Sequence, residues 1–308
     1  MTDLPAHISI REVGPRDGLQ NEAVVSTDAK VALVDALSAT GVRRIEAVSF
    51  VRAEAVPQMA DADEVWSRIA RRDDVRYSAL APNLRGAQRA LAAGVRELEL
   101  VVSASETHNL ANVRRSTGQS LDEIAEVITT AHAAGATVQV VVATAWGCPY
   151  EGDVRIGRVL DVAGRALRDG ADAISFGDTT GMATPGRVGR LVGAFRSAHP
   201  DTALNLHFHD TRGVALANVL AALQLGVDDF DASVGGLGGC PYAPGASGNL
   251  CTEDLVHMAE DMGIGTGIDL DALIGVAATA EALMGRELPS HMLRAGSRTR
   301  LTPMGDTS

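Results

Sequence analysis

Aromatic residues are scarce in this sequence, since Phe, Trp and Tyr together make up only 3% of its 308 residues. Apolar residues nevertheless account for 46%, so a large core is possible and has to be built from Ala, Val, Leu and Ile. Side chains of this kind suit parallel barrel strands and the helices that cover them. The length is normal for one closed α/β barrel with an extension.

Cysteine is also scarce, and the chain contains only Cys148, Cys240 and Cys251. Three cysteines cannot all pair, so we interpret them as reduced thiols. No segment is as long and apolar as a membrane span, and the first ten residues lack the basic and apolar regions of a signal peptide. We therefore expect a cytoplasmic protein.

Positive charge is in the minority, and the net charge at pH 7 is −12. This excess of acid argues against nucleic-acid binding, because phosphate backbones require basic surfaces. One small anionic ligand is compatible with it, provided that local arginines and a metal neutralise that ligand. We expect no nucleic-acid or membrane partner, and we expect a homo-oligomer, either a dimer or a tetramer.

What the chain repeats is a short apolar strand, a Gly-rich or polar turn and an Ala-rich helix. Strict alternation predicts parallel strands with helical crossovers, and eight such units favour a closed (β/α)8 TIM barrel over an open sheet. The strands are predicted to begin near Ile8, Arg44, Arg76, Glu97, Thr137, Ala173, Ala203 and Phe230. Five of the predicted helices end at a glycine, which suits a left-handed cap, at Gly41, Gly94, Gly135, Gly170 and Gly226.

The same pattern predicts one catalytic domain over residues 1–308. The barrel is expected at about 8–260, and a short C-terminal helical extension and tail at 261–308. One helix is expected at Asp269–Leu283, and the polar segment from Gly285 onward is interpreted as a frayed terminus. In this fold the active site lies where the strands run into the βα loops, so unusual polar residues are sought there.

The seventh strand ends in two histidines. Side chains alternate between the two faces of a strand, so Asn205, His207 and His209 share the face toward the barrel interior, and the residues between them pack under the helices. A lone histidine is more often a core residue, but two on one face at a strand end indicate a pair of metal ligands.

Polar residues also gather after the first strand, where a turn explains the glycines and the proline but not Glu12, Arg16 and Gln20. On the second strand Glu46 is predicted to point inward. A buried carboxylate needs a partner or a metal, and Arg16 is the candidate partner. Asp178 ends the sixth strand, where a turn-forming role and a functional role are about equally favoured.

A glycine-rich loop follows the eighth strand over Gly235–Asp254 and carries Cys240, Asn249 and Glu253. A plain anion-binding loop would need none of these three side chains, and Cys240 is better placed for reactivity than a core cysteine. The candidate metal ligands are the two histidines, Asp17 and Asn249. Nitrogen and oxygen donors without a thiolate favour Mg²⁺ or Mn²⁺, with Zn²⁺ as an alternative.

Several of these segments together resemble the 3-hydroxy-3-methylglutaryl-CoA (HMG-CoA) lyase family, over about Ile8 to Met258. The Arg-Asp-Gly and His-x-His elements are shared with isopropylmalate and homocitrate synthases, whereas the loop around Cys240 resembles the lyases specifically. The matching segments are Val13–Asn21, Ser49–Val51, Val56–Met59, Gly147–Gly152, Gly177–Gly181, His207–Thr211 and Gly235–Asp254.

The resemblance implies roles at matching positions. Arg16 would stabilise the enolate of acetyl-CoA, Glu46 would orient Arg16, and Cys240 would be needed for turnover. The implied metal ligands are Asp17, His207, His209 and Asn249, and the implied supporting residues are Glu12, Gln20, Asp178 and Glu253.

The implied reaction is a retro-Claisen cleavage of HMG-CoA into acetoacetate and acetyl-CoA. Asp17 or a nearby histidine would accept the 3-hydroxyl proton, and His207 or Cys240 would protonate the enolate. The alternatives are a lyase for another 3-hydroxy-3-substituted glutaryl-CoA, an acetyl-CoA-dependent condensing enzyme, and a metal- or CoA-binding protein without activity. The last is disfavoured because so many polar groups converge on the strand ends.

Overall fold

The computed structural model describes residues 4–239, 248–299 and 301. Within them, eight parallel strands pair in chain order, and β1 also pairs with β8, so the sheet closes into a barrel. The predicted TIM barrel is confirmed. The strands are β1 Ser9–Glu12, β2 Arg44–Ser49, β3 Arg76–Leu80, β4 Glu97–Ser103, β5 Thr137–Ala143, β6 Ala173–Asp178, β7 Ala203–Phe208 and β8 Asp229–Ala232.

Helices connect the strands and cover the outside of the barrel. All five glycines predicted to end helices have positive φ, as a left-handed cap requires. The helices of the described residues are α1 Thr27–Ser38, α2 Ala62–Arg68, α3 Leu84–Ala92, α4 Glu106–Val113, α5 Thr117–Ala133, α6 Ile156–Arg168, α7 Pro185–Ala198, α8 Ala215–Leu223, α9 Thr252–Asp261, α10 Leu270–Met284 and α11 His291–Ala295.

Outward-facing strand residues and inward-facing helix residues form the layer of core between strands and helices. On β7, Leu204, Leu206 and Phe208 are buried in that layer, and Phe208 packs against Trp146 at a ring-centroid distance of 5.4 Å. The barrel interior is polar by contrast, as the alternation on β7 predicts. No helix in the described ranges is both long enough and apolar enough to cross a membrane.

The chain after α10 differs from the sequence-based expectation. Leu288 is only 3% exposed, and Asp254 at the start of α9 accepts hydrogen bonds from the backbone amides of His291 and Met292. A β-carbon on Gly235 would lie 2.4 Å from Leu288, so this segment packs directly on the turn after β8. The interpretation of Gly285 onward as a frayed terminus is therefore wrong for the part that contains α11.

Candidate active site

A tight turn over Gly14–Gly18 follows β1 and carries Arg16 and Asp17 into the barrel mouth. The Val13 carbonyl accepts from three successive amides of this turn, those of Arg16, Asp17 and Gly18. A β-carbon on Gly14 would lie 2.6 Å from Glu12 Oε1, so the turn closes this tightly only with glycine at that position. The two charged side chains are thus fixed by backbone geometry.

Arg16 lies between two carboxylates. Its Nη1 donates to Asp17 Oδ1 at 2.6 Å, and its Nη2 donates to Glu46 Oε2 at 2.5 Å. Glu46 points inward from β2 and is fully buried, so the predicted Arg16–Glu46 pair is present. The other oxygen of Glu46, Oε1, has no hydrogen-bond partner in the described structure.

Asp17, His207 and His209 form a group whose potential ligand atoms all lie within 4.8 Å of one another. The two imidazole centroids are 5.1 Å apart, and His207 Nε2 lies 4.0 Å from Asp17 Oδ2. Strands β7 and β1 therefore bring together residues that are 190 positions apart, as strand-end placement predicts.

Asn249 joins this group through an isolated bridge to His209. Its Nδ2 donates to Asp17 Oδ2 at 2.9 Å and to the Leu237 carbonyl at 3.0 Å, while its buried Oδ1 has no partner in the described part of the chain. Gln20 Nε2 donates to Asp17 Oδ1 at 2.8 Å, which leaves Oδ2 as the oxygen nearest the histidines.

Neighbouring charges and burial shift the pKa values of Asp17 and His209. Burial would raise the pKa of Asp17, but the positive charges of Arg16, His207 and His209 lower it to about 2. Burial and the charge of His207 lower the pKa of His209 to about 4. Asp17 is therefore an anion and His209 a neutral imidazole at pH 7, which are the protonation states of metal ligands.

These residues fit a divalent cation. The carboxylate Asp17 and two imidazoles converge, and buried acceptor-capable atoms of His209 and Asn249, Nδ1 and Oδ1, lack partners. Buried polar atoms without partners are rare in native proteins, and a bound ion is a recognised reason for them. The donor set of nitrogen and oxygen without sulfur suits a hard or borderline cation.

Glu12 and Glu253 support the loop after β8. Glu12 accepts from the amides of Gly14 and Val234 and from the Thr252 hydroxyl, and Glu253 accepts from the Gly235 amide. Burial raises the pKa of each carboxyl to about 7. Glu253 lies in α9 rather than in the loop, because helix begins at Thr252.

Asp178 takes the turn-forming role considered for it and keeps one carboxylate oxygen free of that role. Its Oδ1 accepts from the amides of Met182 and Ala183, as a turn-forming aspartate would. Its Oδ2 is buried and has no partner in the described ranges. Burial raises the pKa of Asp178 to about 7 despite those hydrogen bonds.

Two of the three cysteines lie within the described residues. Cys240 lies outside the described residues. Cys148 is buried and accepts a hydrogen bond from the Ser105 hydroxyl, and Cys251 is buried beside Gly236. Both thiols are therefore packed as core side chains are.

Sequence reasoning missed a second charged layer below the first. Arg11 on β1 donates to both oxygens of Asp231 on β8, at 2.9 and 2.8 Å, and also pairs with Glu99 on β4. Asp231 Oδ2 lies 3.2 Å from His207 Nδ1, which orients the ring and directs Nε2 toward Asp17. The alternation used for β7 would have found Asp231, since Phe230 and Ala232 on either side of it face outward.

Comparisons with known proteins agree with this geometry. The HMGL-like family matches residues 7–279. Hydroxymethylglutaryl-CoA lyase of Bacillus subtilis is 45% identical over 94% of this chain and 97% of its own length. The mitochondrial hydroxymethylglutaryl-CoA lyase of Gallus gallus is 45% identical over 96% of this chain and 99% of its own.

A solved structure is equally similar. The HMG-CoA lyase of Acinetobacter baumannii, in complex with coenzyme A and 3-methylmalate, superposes with a TM-score of 0.94 at 48% identity, over 99% of this chain and 100% of that one. This chain therefore belongs to the HMGL-like family and is a carbon–carbon lyase.

Proposed function

We propose that this protein cleaves HMG-CoA into acetoacetate and acetyl-CoA by a metal-assisted retro-Claisen reaction. The family and its HMG-CoA lyase members support the substrate. The observation that carries the mechanism is the placement of Arg16 beside the group formed by Asp17, His207 and His209. A cation at this site could bind the 3-hydroxyl oxygen on C3, and the buried guanidinium beside it could contact the thioester oxygen next to C2. The two groups would then flank the C2–C3 bond that breaks.

The metal would be Mg²⁺ or Mn²⁺, held by Asp17, His207, His209 and Asn249. When bound, it supplies a Lewis acid that lowers the pKa of the substrate 3-hydroxyl. Asp231 holds His207 in the tautomer whose Nε2 faces the site, and Gln20 and Arg16 occupy Asp17 Oδ1 so that Oδ2 is presented. Such supporting contacts normally change metal affinity about 10–100-fold.

Arg16 would stabilise the negative charge that develops on the thioester oxygen as C2 separates from C3. Burial would lower its pKa, but the charges of Glu46 and Asp17 raise it, so Arg16 keeps its positive charge although it is buried. Glu46 fixes the guanidinium through Nη2 before substrate binds, so little reorganisation is needed during the reaction.

The 3-hydroxyl proton needs an acceptor. Asp17 has a pKa of about 2 and is a weak base, and an imidazole nitrogen that binds a cation cannot also accept a proton. We therefore propose Asp178 as the base that accepts the 3-hydroxyl proton. Its Oδ2 has no partner in the described ranges, and its pKa of about 7 suits proton transfer near neutral pH.

Asp178→Asn separates this role from turn formation. The amide oxygen still accepts from Met182 and Ala183, so the turn stays intact, but the side chain no longer takes a proton. We expect kcat to fall about 10²–10⁴-fold with an unchanged melting temperature. A variant with kcat within a few-fold of wild type would restrict Asp178 to the turn.

The enolate then takes a proton at C2, and the candidates remain His207 and Cys240. His207 could donate it only while its Nε2 carries a proton and is not bound to the metal. Cys240 lies outside the described residues, so the choice between the two donors stays a prediction.

Three further expectations also stay predictions. They are the single catalytic domain, the homo-oligomeric state and the cytoplasmic location.

The substrate is tested by supplying the metal-loaded protein with three alternatives. These are HMG-CoA, a longer branched 3-hydroxy-3-substituted glutaryl-CoA, and acetyl-CoA together with a 2-oxo acid. We expect the highest kcat/KM on HMG-CoA and no release of free CoA from the third mixture. A higher kcat/KM on the longer thioester, or release of CoA, would assign the protein to one of the other reactions.

A further inference from the structure

Thr144 follows β5 and has a backbone conformation that such a residue rarely adopts. Its φ is 56°, in the left-handed region, and within the described ranges Arg114 is the other non-glycine residue with positive φ. Arg114 is exposed and caps α4, where a left-handed residue is common. Thr144 is fully buried, and its β-branched side chain makes this conformation costly. Strain of this kind persists where the surrounding structure enforces it, and it concentrates at functional sites.

The left-handed turn directs two successive amides to the same neighbouring strand. In an extended chain, successive amides point to opposite sides, so those of residues 144 and 145 would reach different strands. Here the Thr144 amide donates to Thr179 Oγ1 at 2.9 Å, and the Ala145 amide donates to the Gly177 carbonyl at 3.0 Å. Gly177 and Thr179 are the two neighbours of Asp178 in the chain. The turn therefore anchors the end of β6 on both sides of Asp178.

The Thr144 hydroxyl fixes the turn to β4 on its other side. Its Oγ1 donates to the Ala143 carbonyl at 2.7 Å. Because its one proton is used there, it accepts from the Ser103 hydroxyl at 2.7 Å and from the Ser105 amide at 3.2 Å. Glycine would adopt the same backbone without strain, but it would lack all three contacts. The strained threonine thus ties the ends of β4, β5 and β6 together.

We propose that Thr144 is a positioning residue for the cleavage reaction and acts by holding Asp178 at the end of β6. This inference rests on the proposed function, in which Asp178 accepts the 3-hydroxyl proton. A base has to lie within about 2.6–3.2 Å of the group that it deprotonates. A small displacement of the end of β6 should therefore slow proton transfer while it leaves substrate binding nearly unchanged.

The experiment compares Thr144→Gly with Thr144→Ser. The glycine variant keeps the left-handed backbone and removes the hydroxyl contacts, so kcat on HMG-CoA should fall about tenfold or more, with KM within about twofold of wild type. The serine variant keeps the hydroxyl and should have a kcat within about twofold of wild type. A wild-type kcat in Thr144→Gly, or an equal loss of kcat in Thr144→Ser, would overturn the proposal.

The matched control is Arg114→Gly, which places glycine at the other left-handed position. Arg114 is exposed at the end of α4, so this variant should have the kcat of the wild type. A tenfold loss of kcat in Arg114→Gly would attribute the effect to glycine at any left-handed position and would likewise overturn the proposal.

Alkylation of Cys148 separates failure of this inference from failure of the proposed function, because it reports on the turn without substrate. Cys148 is buried four residues after Thr144, and its Sγ accepts from the Ser105 hydroxyl. Iodoacetamide should modify Cys148 of the folded protein about tenfold faster in Thr144→Gly than in wild type, and no faster in Thr144→Ser. Peptide mass mapping measures the rate, with the buried Cys251 as the internal reference.

Equal rates at Cys148 in all three proteins would reject the role of the hydroxyl in the turn, whether or not HMG-CoA is cleaved. Faster alkylation in Thr144→Gly together with an unchanged kcat would reject the link from the turn to Asp178.

Discussion

Two buried arginines each bridge two carboxylates in this barrel, one at the mouth and one in the interior. Arg16 lies on a turn between Asp17 and Glu46, and Arg11 lies on β1 between Asp231 and Glu99. We call these the mouth triad and the interior triad.

The triads differ in what lies beside them. In the mouth triad, Asp17 faces two histidines and an asparagine, and several buried atoms there have no partner in the described ranges. In the interior triad, Asp231 is saturated by Arg11, Asn205 and His207. Each triad itself keeps two buried atoms without a hydrogen-bond partner in the described ranges, namely Arg16 Nε and Glu46 Oε1 at the mouth and Arg11 Nη1 and Glu99 Oε2 in the interior. The triads are therefore distinguished by their neighbours, since potential metal ligands lie beside Asp17 whereas Asp231 contacts the ring of His207.

The largest expected effect comes from Arg16→Gln. We expect kcat to fall about 10³-fold, because the charge beside the developing enolate is lost. Glutamine can still donate to Glu46, and Asp17 keeps its contacts with Gln20 and Asn249, so Mn²⁺ content should stay the same. A kcat within a few-fold of wild type would remove Arg16 from the mechanism.

Arg11→Gln is the counterpart in the interior triad. It leaves Asp231 and Glu99 without their shared cation in a fully buried place, so the main loss should be stability, about 3–5 kcal/mol. The contrast between the triads fails if Arg11→Gln has wild-type stability in urea unfolding.

The second largest expected effect is a loss of metal affinity. His209→Ala removes one of the two imidazoles, and we expect affinity for Mn²⁺ to fall about 100-fold or more. The matched control is His132→Ala, since His132 is exposed and pairs with Asp172 on the outside of the barrel. Equal Mn²⁺ content in both purified variants would exclude His209 from the ligand set.

Asp231→Asn tests whether the interior triad acts on the mouth through His207. The tautomer of the ring would no longer be fixed, so Mn²⁺ affinity should fall about 10–100-fold while the ligands themselves are unchanged. Asp229→Asn is the control, because Asp229 is on the same face of β8 and pairs with Arg44 instead. Calorimetry that gives the same Mn²⁺ affinity for both variants would show that Asp231 is structural only.

The smallest effect on activity is expected from a change at Glu12, which acts on the pH dependence of stability. Burial raises the pKa of Glu12 from 4.5 to about 7, so the folded state holds that proton more tightly than the unfolded state. The resulting stabilisation is present below about pH 4.5 and is lost as the pH rises through about 7. Glu12→Gln copies the protonated acid, since its amide can donate to Thr252 while its oxygen accepts from Gly14 and Val234.

The variant and the wild type should therefore melt together at pH 4.5. At pH 8 the variant should be more stable by up to about 3 kcal/mol, which follows from the change in the pKa of Glu12 from 4.5 to about 7, and it should melt higher by several °C. Parallel melting curves at every pH would mean that the pKa of Glu12 is not raised.

The comparison of the two triads also indicates what sequence can predict. All eight strands begin within one residue of their predicted starts, because alternating βα units and terminal glycines are local signals. The mouth triad was found because Arg16 and Asp17 follow the first strand, where polar residues gather, and because side-chain alternation on the second strand points Glu46 inward. Helix α4 was missed, since it is an extra helix inserted between β4 and α5.

The interior triad was not predicted, because its residues come together only in the closed barrel. Arg11 and Asp231 are 220 positions apart, and only closure of β1 on β8 brings them together. Packing of Leu288 on Gly235 is also tertiary, and a polar C-terminal sequence gives little local sign of it.

Metal-assisted cleavage of HMG-CoA is best tested by quantifying both products from metal-free protein and HMG-CoA, before and after addition of Mg²⁺ or Mn²⁺. We expect no products in the presence of chelator, and acetoacetate and acetyl-CoA in equal amounts once the metal is restored. Full activity without metal, or one product without the other, would contradict it.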